Sequence, residues 1–216
     1  QINRLGSHLG IWDFGIDVSL DGWWVRGYYQ HYFEAASSSR FNNTFDGLWG
    51  VAVGIQQSGV KISGLYELLL TRYQGGDVSH NDGGRQMYYE NYMYDNGWTH
   101  QDFVMGSSLL TTSGEGDDLR FVNTRVIAHH VGLEVSGIRQ WSVRSLLTMS
   151  DNYGRYYSNP DPRFDDGSLR QTSFLLEAER ENVWRDSFSV AGGLAVDVGE
   201  VYDESWGLLL GVSYGW

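Results

Sequence analysis

Three groups of residues have types that can do chemistry. The first is a run holding Arg85, Tyr88, Tyr89, Asn91, Tyr92, Tyr94 and Trp98, in which rings alternate with hydrogen-bonding groups. Aromatic rings offer flat apolar faces to sugar CH groups, and Asn, Asp and Arg direct hydrogen bonds to hydroxyls or acidic sugars. The same rings also suit a loop folded inward as a plug or a belt at the lipid headgroup level. Both readings stay open, because one loop can serve both purposes.

The second group consists of charges that share one face of alternating segments. Arg26, Glu34, Glu67, Arg125, Glu134, Arg144 and Glu177 belong to it, with Asp13, Asp17, Lys61, Glu179 and Asp197. Their signs are interspersed, which favours salt bridges that stiffen an enclosed lumen over a lining that selects a charged solute. The third group is the pair His129 and His130. Adjacent strand residues point to opposite faces, and nothing at ligand spacing completes a metal site around them. Without a cysteine, thiolate chemistry is absent. Ser, His and acidic residues occur, but no order or geometry identifies a catalytic triad. No cofactor is expected, and the chain reads as non-enzymatic.

The elements that must position these groups are strands. Residues 205–216 set Trp206, Leu208, Leu210, Val212, Tyr214 and Trp216 on one face, with Ser205, Gly207, Gly211, Ser213 and Gly215 on the other. An apolar face backed by tiny residues and ending on an aromatic suits the closing strand of an outer-membrane β-barrel. The same alternation recurs in Trp12, Phe14, Ile16, Val18 and Leu20, turning at Asp21-Gly22 into a second strand that reaches Glu34. A third strand carries Trp49, Val51, Val53 and Ile55, and Gln57-Ser58-Gly59 turns it into a fourth with Val60, Ile62, Tyr66, Leu68 and Leu70.

After Tyr73 the pattern dissolves over residues 74–118, far longer than an ordinary connection. A fifth strand is predicted from Phe121 to Val135, with a β-bulge at His129-His130 to repair a slip in its alternation. A turn at Ser136-Gly137 leads to a sixth strand bearing Trp141, Val143, Leu147 and Met149. The seventh carries Phe174 and Leu176, and the eighth Val190, Leu194 and Val196. Turns and long loops alternate along the chain, as in a barrel with unlike ends.

Composition agrees with this class. The 216 residues include 28 Gly, 2 Pro, 9 Trp, 14 Tyr and 9 Phe, although only 41% are hydrophobic. Mean hydropathy is −0.36. A membrane barrel reads this way because only alternate strand residues face lipid and rings gather at the two interfaces. No apolar stretch approaches the roughly 20 residues of a spanning helix. A net charge of −12 argues against a nucleic-acid groove, which needs a basic footprint. The start lacks the pattern of a signal peptide. About nine strands are legible, whereas bacterial single-chain barrels have even numbers. The parity predicts either a missed strand within residues 103–110 or a C-terminal portion of a longer chain, with the portion preferred.

Residues 3–13 (NRLGSHLGIWD), 45–50 (FDGLWG), 88–92 (YYENY) with 97–99 (GWT), and 123–133 (NTRVIAHHVGL) resemble the C-terminal half of capsule assembly Wzi family proteins of the Bacteroidota type. The resemblance spans most of the chain in several ordered blocks, none of them a catalytic signature. It implies an outer-membrane barrel of about twice this length that holds or organises surface polysaccharide.

The resulting expectation is all-β: residues 1–216 form an antiparallel transmembrane β-barrel domain of about 9–10 strands, part of a larger barrel, with a long extracellular or plug loop at 74–118. Its expected location is the bacterial outer membrane. Lipid, lipopolysaccharide, surface polysaccharide and other envelope proteins are its expected partners, and nucleic acid is not. Polysaccharide would be bound through the 85–98 run. The alternatives are a channel for small charged solutes lined by Arg26, Glu67, Arg125, Glu134 and Arg144, or a barrel subunit of a larger envelope complex.

Overall fold

Alternating residues with Gly-containing two-residue turns build hairpins, and the computed structural model of the chain is a succession of them. It describes residues 10–34, 41, 45–74, 88–90, 96–156, 161–181, 183 and 188–214. Strands β1 (Gly10–Leu20) and β2 (Trp23–Phe33) pair without a register break, as do β3 (Gly47–Gln57) and β4 (Val60–Leu70). Between β4 and the next long strand lie four short ones: β5 (Thr99–His100), β6 (Phe103–Val104), β7 (Thr111–Ser113) and β8 (Arg120–Asn123). Then follow β9 (Val126–Ile138), β10 (Trp141–Asn152), β11 (Leu169–Arg180), β12 (Phe188–Gly199) and β13 (Ser205–Tyr214).

The nine long strands form one antiparallel sheet in the order β1-β2-β3-β4-β9-β10-β11-β12-β13. Among the described residues the sheet is not closed: β1 and β13 each pair on one side only. Their outer edges present unpaired backbone groups.

One face carries the large apolar residues expected to turn outward. On β13, Trp206, Leu208, Leu210 and Val212 are 66–78% exposed rather than packed into a core. Trp12, Phe14, Ile16, Trp49, Val53, Leu133, Trp141, Phe174 and Leu194 extend this exposed face across the sheet. The opposite face is the inner one, because residues 88–90 and 96–123 form a layer that packs on it. Tyr32, Leu48, Leu69, Val126 and Ala128 of the sheet meet Tyr88, Tyr89, Leu110 and Phe121 there. The cluster sits toward the end of the sheet where the longer connections lie, at residues 34–46, 71–125, 153–168 and 200–204. Two-residue turns at 21–22, 58–59 and 139–140 lie at the other end, and the β11–β12 connection there falls mostly outside the described residues.

Four sequence expectations need correction. The strand predicted from Phe121 to Val135 is two strands, β8 and β9, broken at Thr124-Arg125. β9 runs through His129 and His130 with no bulge, the pairs Leu68–His129 and Glu67–His130 being consecutive. The alternation slips for another reason: Val126 and Ala128 are apolar on the inner face because the layer of residues 88–90 and 96–123 covers them, leaving them 0% and 2% exposed.

The turn predicted at Ser136-Gly137 lies at Arg139-Gln140, both at positive φ, and the register shift sits beside Trp141 and Ser142. Finally, residues 103–110 add no strand to the large sheet. Phe103–Val104 pairs only with Thr99–His100, in a small sheet of its own.

Candidate functional site

The long excursion is held to the sheet by backbone groups that side chains satisfy. Thr71 Oγ1 donates to the Thr124 carbonyl at 2.8 Å and accepts from the Val126 amide at 2.9 Å. Gln74 donates to the carbonyls of Thr71 and Thr124, both at 3.2 Å. Asn123 Nδ2 donates to Asn152 Oδ1 at 2.9 Å, while its Oδ1 accepts from the Gly154 amide at 3.1 Å. All four side chains are buried, so each bond spares the chain a desolvated orphan.

The aromatic run divides between structural and exposed members. Tyr88 is fully buried and donates to Asp46 Oδ2 at 3.2 Å, and Tyr89 is 8% exposed. Burial, reinforced by Asp46, holds the Tyr88 hydroxyl well above its ordinary pKa, so it stays a donor. The Tyr88 ring is not available to a ligand, a correction to the expectation that it would bind sugar; Tyr89 keeps a small exposed edge on an inner space, and both anchor the layer. Trp98 is 37% exposed, and its amide donates to the Tyr89 carbonyl at 2.7 Å. Gly97 permits this close approach: its φ is +53°, and a Cβ there would lie 2.3 Å from that carbonyl. Arg85, Asn91, Tyr92 and Tyr94 lie outside the described residues.

Glu90, beside the tyrosines, forms an ion pair with Arg155 from the 153–168 loop, Nε to Oε2 being 3.0 Å. Burial pushes the Glu90 carboxyl up, and Arg155 pulls it back.

Of the charges assigned to the lumen, Arg26, Glu67, Glu134, Arg144 and Glu177 occupy inner-face positions. Arg144 pairs with Glu177, Nε to Oε2 at 2.8 Å, and Arg26 with Asp17, as the salt-bridge reading anticipated. Glu34 directly follows β2 and is buried, close enough to Tyr88 to act on its hydroxyl. One assignment is corrected: Arg125 falls in the break between β8 and β9. Arg125 donates to the Arg72 carbonyl at 3.0 Å and lies over the Tyr156 ring, so it ties loops together rather than lining the wall.

The registers reveal an inner-face row that crosses the whole sheet: Gly15, Tyr28, Gly50, Glu67, His130, Thr148, Ser173, Asp197 and Ser205. Within it Tyr28 donates to Glu67, His130 Nδ1 and Thr148 Oγ1 are hydrogen-bonded at 2.7 Å, and Ser173 donates to Asp197. His129, on the other face, hydrogen-bonds Tyr66 at 2.8 Å, so the adjacent histidines form no joint site. Among the described residues no cluster of His, Asp and Glu suits a metal ion.

Above this row the layer and the wall enclose two adjoining spaces. The smaller, of about 310 Å³, is lined by Tyr32, Glu67, Tyr89, His130 and Thr148. The larger, of about 1070 Å³, lies between residues 101–115 and the inner faces of β10 to β13. Thr148, Ser150, Asn152, Gln171, Ser173 and Asp197 supply its polar wall. Sequence reasoning placed Asp197 opposite the apolar face but did not bring it together with Thr148 and Ser173, because cross-strand neighbours follow from register rather than local pattern. Asn152 and Gln171 flank the 153–168 loop, where alternation gives no signal.

Comparison with protein-family models, with curated proteins and with solved structures yields no match for this chain.

Proposed function

We propose that the chain is part of the wall of an outer-membrane β-barrel of Wzi type, and that its loop end binds or anchors surface polysaccharide. The observation that carries this reading is the pair of unlike faces on a nine-stranded meander. Large apolar side chains stay exposed from β1 to β13 on one face, while the other holds ion pairs, hydroxyls and a folded layer of loop. A water-facing sheet would not keep such an extent of apolar surface open, whereas acyl chains cover it. The layer of residues 88–90 and 96–123 supports this reading by its position: it packs on the inner face and leaves Trp98 37% exposed.

Reconstitution with paired readouts tests this. In planar bilayers the account expects no steady open current. In glycan binding it expects a signal that falls about tenfold with Trp98→Ala while the folded state persists, since ring contacts contribute about 0.5–1.5 kcal/mol beyond area burial. A steady current that changes when Arg144 or Glu67 is neutralised contradicts the anchoring role and favours a channel.

A further inference from the structure

We infer that the larger inner cleft is a binding site for a segment of neutral glycan, one that carries hydroxyls and no acidic groups. The inference rests on the polysaccharide reading and narrows its ligand class.

Two buried polar groups lining the cleft lack partners. Thr111 Oγ1 and Gln171 Nε2 make no hydrogen bond among the described residues, although Thr111 is 8% and Gln171 6% exposed. Leaving such groups unpaired is costly, and Thr71 and Asn123 avoid it with the bonds they make; Gln74 Oε1, away from the cleft, is also without a partner among the described residues. The far end of Gln171 is engaged: its Oε1 accepts from the amides of Val201 and Tyr202 at 3.2 and 3.3 Å. That holds the β12–β13 loop and leaves the amide nitrogen as a fixed donor. A hydroxyl-rich ligand would supply an acceptor to Gln171 and either role to Thr111.

The lining sets the class. Asp102, Glu115 and Asp197 are carboxylates, and no Lys, Arg or His lines the cleft among the described residues. Uronate, sulfate or phosphate groups would meet like charge with no counter-ion. Neutral hydroxyls instead find the carboxylate of Asp197 and the hydroxyls of Thr148 and Ser173. Phe103, 78% exposed, and Tyr202, 48% exposed, also line the cleft and give apolar faces to sugar rings. At about 1070 Å³ the space reaches the upper end of ligand sites, roughly 300–1,000 Å³, and accommodates several sugar rings.

The test uses the full chain in detergent micelles, titrated with labelled hexasaccharides, neutral (gluco-, manno- and galacto-configured) and uronate. Two variants spare folding: Thr111→Val removes a hydroxyl without a partner, and Phe103→Ala trims an exposed ring. A neutral probe should bind, about fivefold more weakly to Thr111→Val and about tenfold more weakly to Phe103→Ala. The unliganded unfolding midpoint of Thr111→Val should hold or rise, which separates a ligand donor from a structural one. Preference for the uronate probe, or neutral binding that neither variant changes, overturns this inference and leaves the polysaccharide reading standing. Binding of neither class overturns both.

Discussion

Glu90 and Arg155 join the inner layer to the 153–168 loop with side chains 10% and 18% exposed. In such surroundings the loss of one partner leaves a charge with neither water nor counter-ion, at a cost of about 3–5 kcal/mol. Arg155→Met should therefore speed amide exchange across residues 119–123 at pH 7. The sign of its pH dependence follows from Glu90. Burial raises that carboxyl above its ordinary 4.5, so the folded state holds the proton more tightly than the unfolded chain, and stability falls as pH rises through the raised value. Without Arg155 the rise is larger, and acid relieves it: the exchange difference between variant and wild type should shrink as pH is lowered toward 4.5. A difference independent of pH would place the effect elsewhere. Tyr88 gives a second contrast. Tyr88→Ala empties a fully buried site and should cost about 3–5 kcal/mol in denaturant unfolding, whereas Trp98→Ala should cost under about 1 kcal/mol.

At the scale of elements, turn chemistry determines what the sequence reveals. β1 to β4 are legible nearly to the residue, because Asp21-Gly22 and Ser58-Gly59 lie between segments with one partner on each face. β9 is not, since Val126 and Ala128 respond to a layer that arrives from distant residues. The aromatic run likewise reads the same whether its rings face a ligand or a core; only packing separates Tyr88 from Trp98. The β9–β10 turn escaped because Gly137, which looks like the turn itself, serves another purpose. Its φ is +86°, and a Cβ there would lie 2.0 Å from the Gly59 carbonyl of the neighbouring hairpin. Gly137→Ala should lower the unfolding free energy by about 1–3 kcal/mol or more. Gly59→Ala, at φ +82° but with nothing within 4 Å, should cost less. Equal costs would show that the two turns do not abut.

For the molecule as a whole, the sheet resolves the two-faced pattern into distinct environments. The inner face is layered. Glu134, Arg144 and Glu177 lie toward the short turns, Leu65, Leu146 and Leu175 above them, then the Tyr28 to Asp197 row, and finally the loop layer. Among the described residues the outer face carries the ion pair of Asp151 with Arg170 at the loop-side ends of β10 and β11, and Arg180 over the Trp141 ring near the short turns; between them lie mainly apolar side chains and hydrogen-bonded rings such as Tyr66 with His129. That asymmetry is the central claim, and strand β10 tests it most directly, being paired on both sides and free of the sheet edges. Because the chain has no cysteine, single-Cys variants at residues 143–149 carry one nitroxide each without background. In lipid vesicles the account predicts oxygen accessibility with a period of two, high at Val143, Ser145, Leu147 and Met149 and low at Arg144, Leu146 and Thr148. Uniform accessibility to a water-soluble relaxation agent, or the opposite phase, would contradict it.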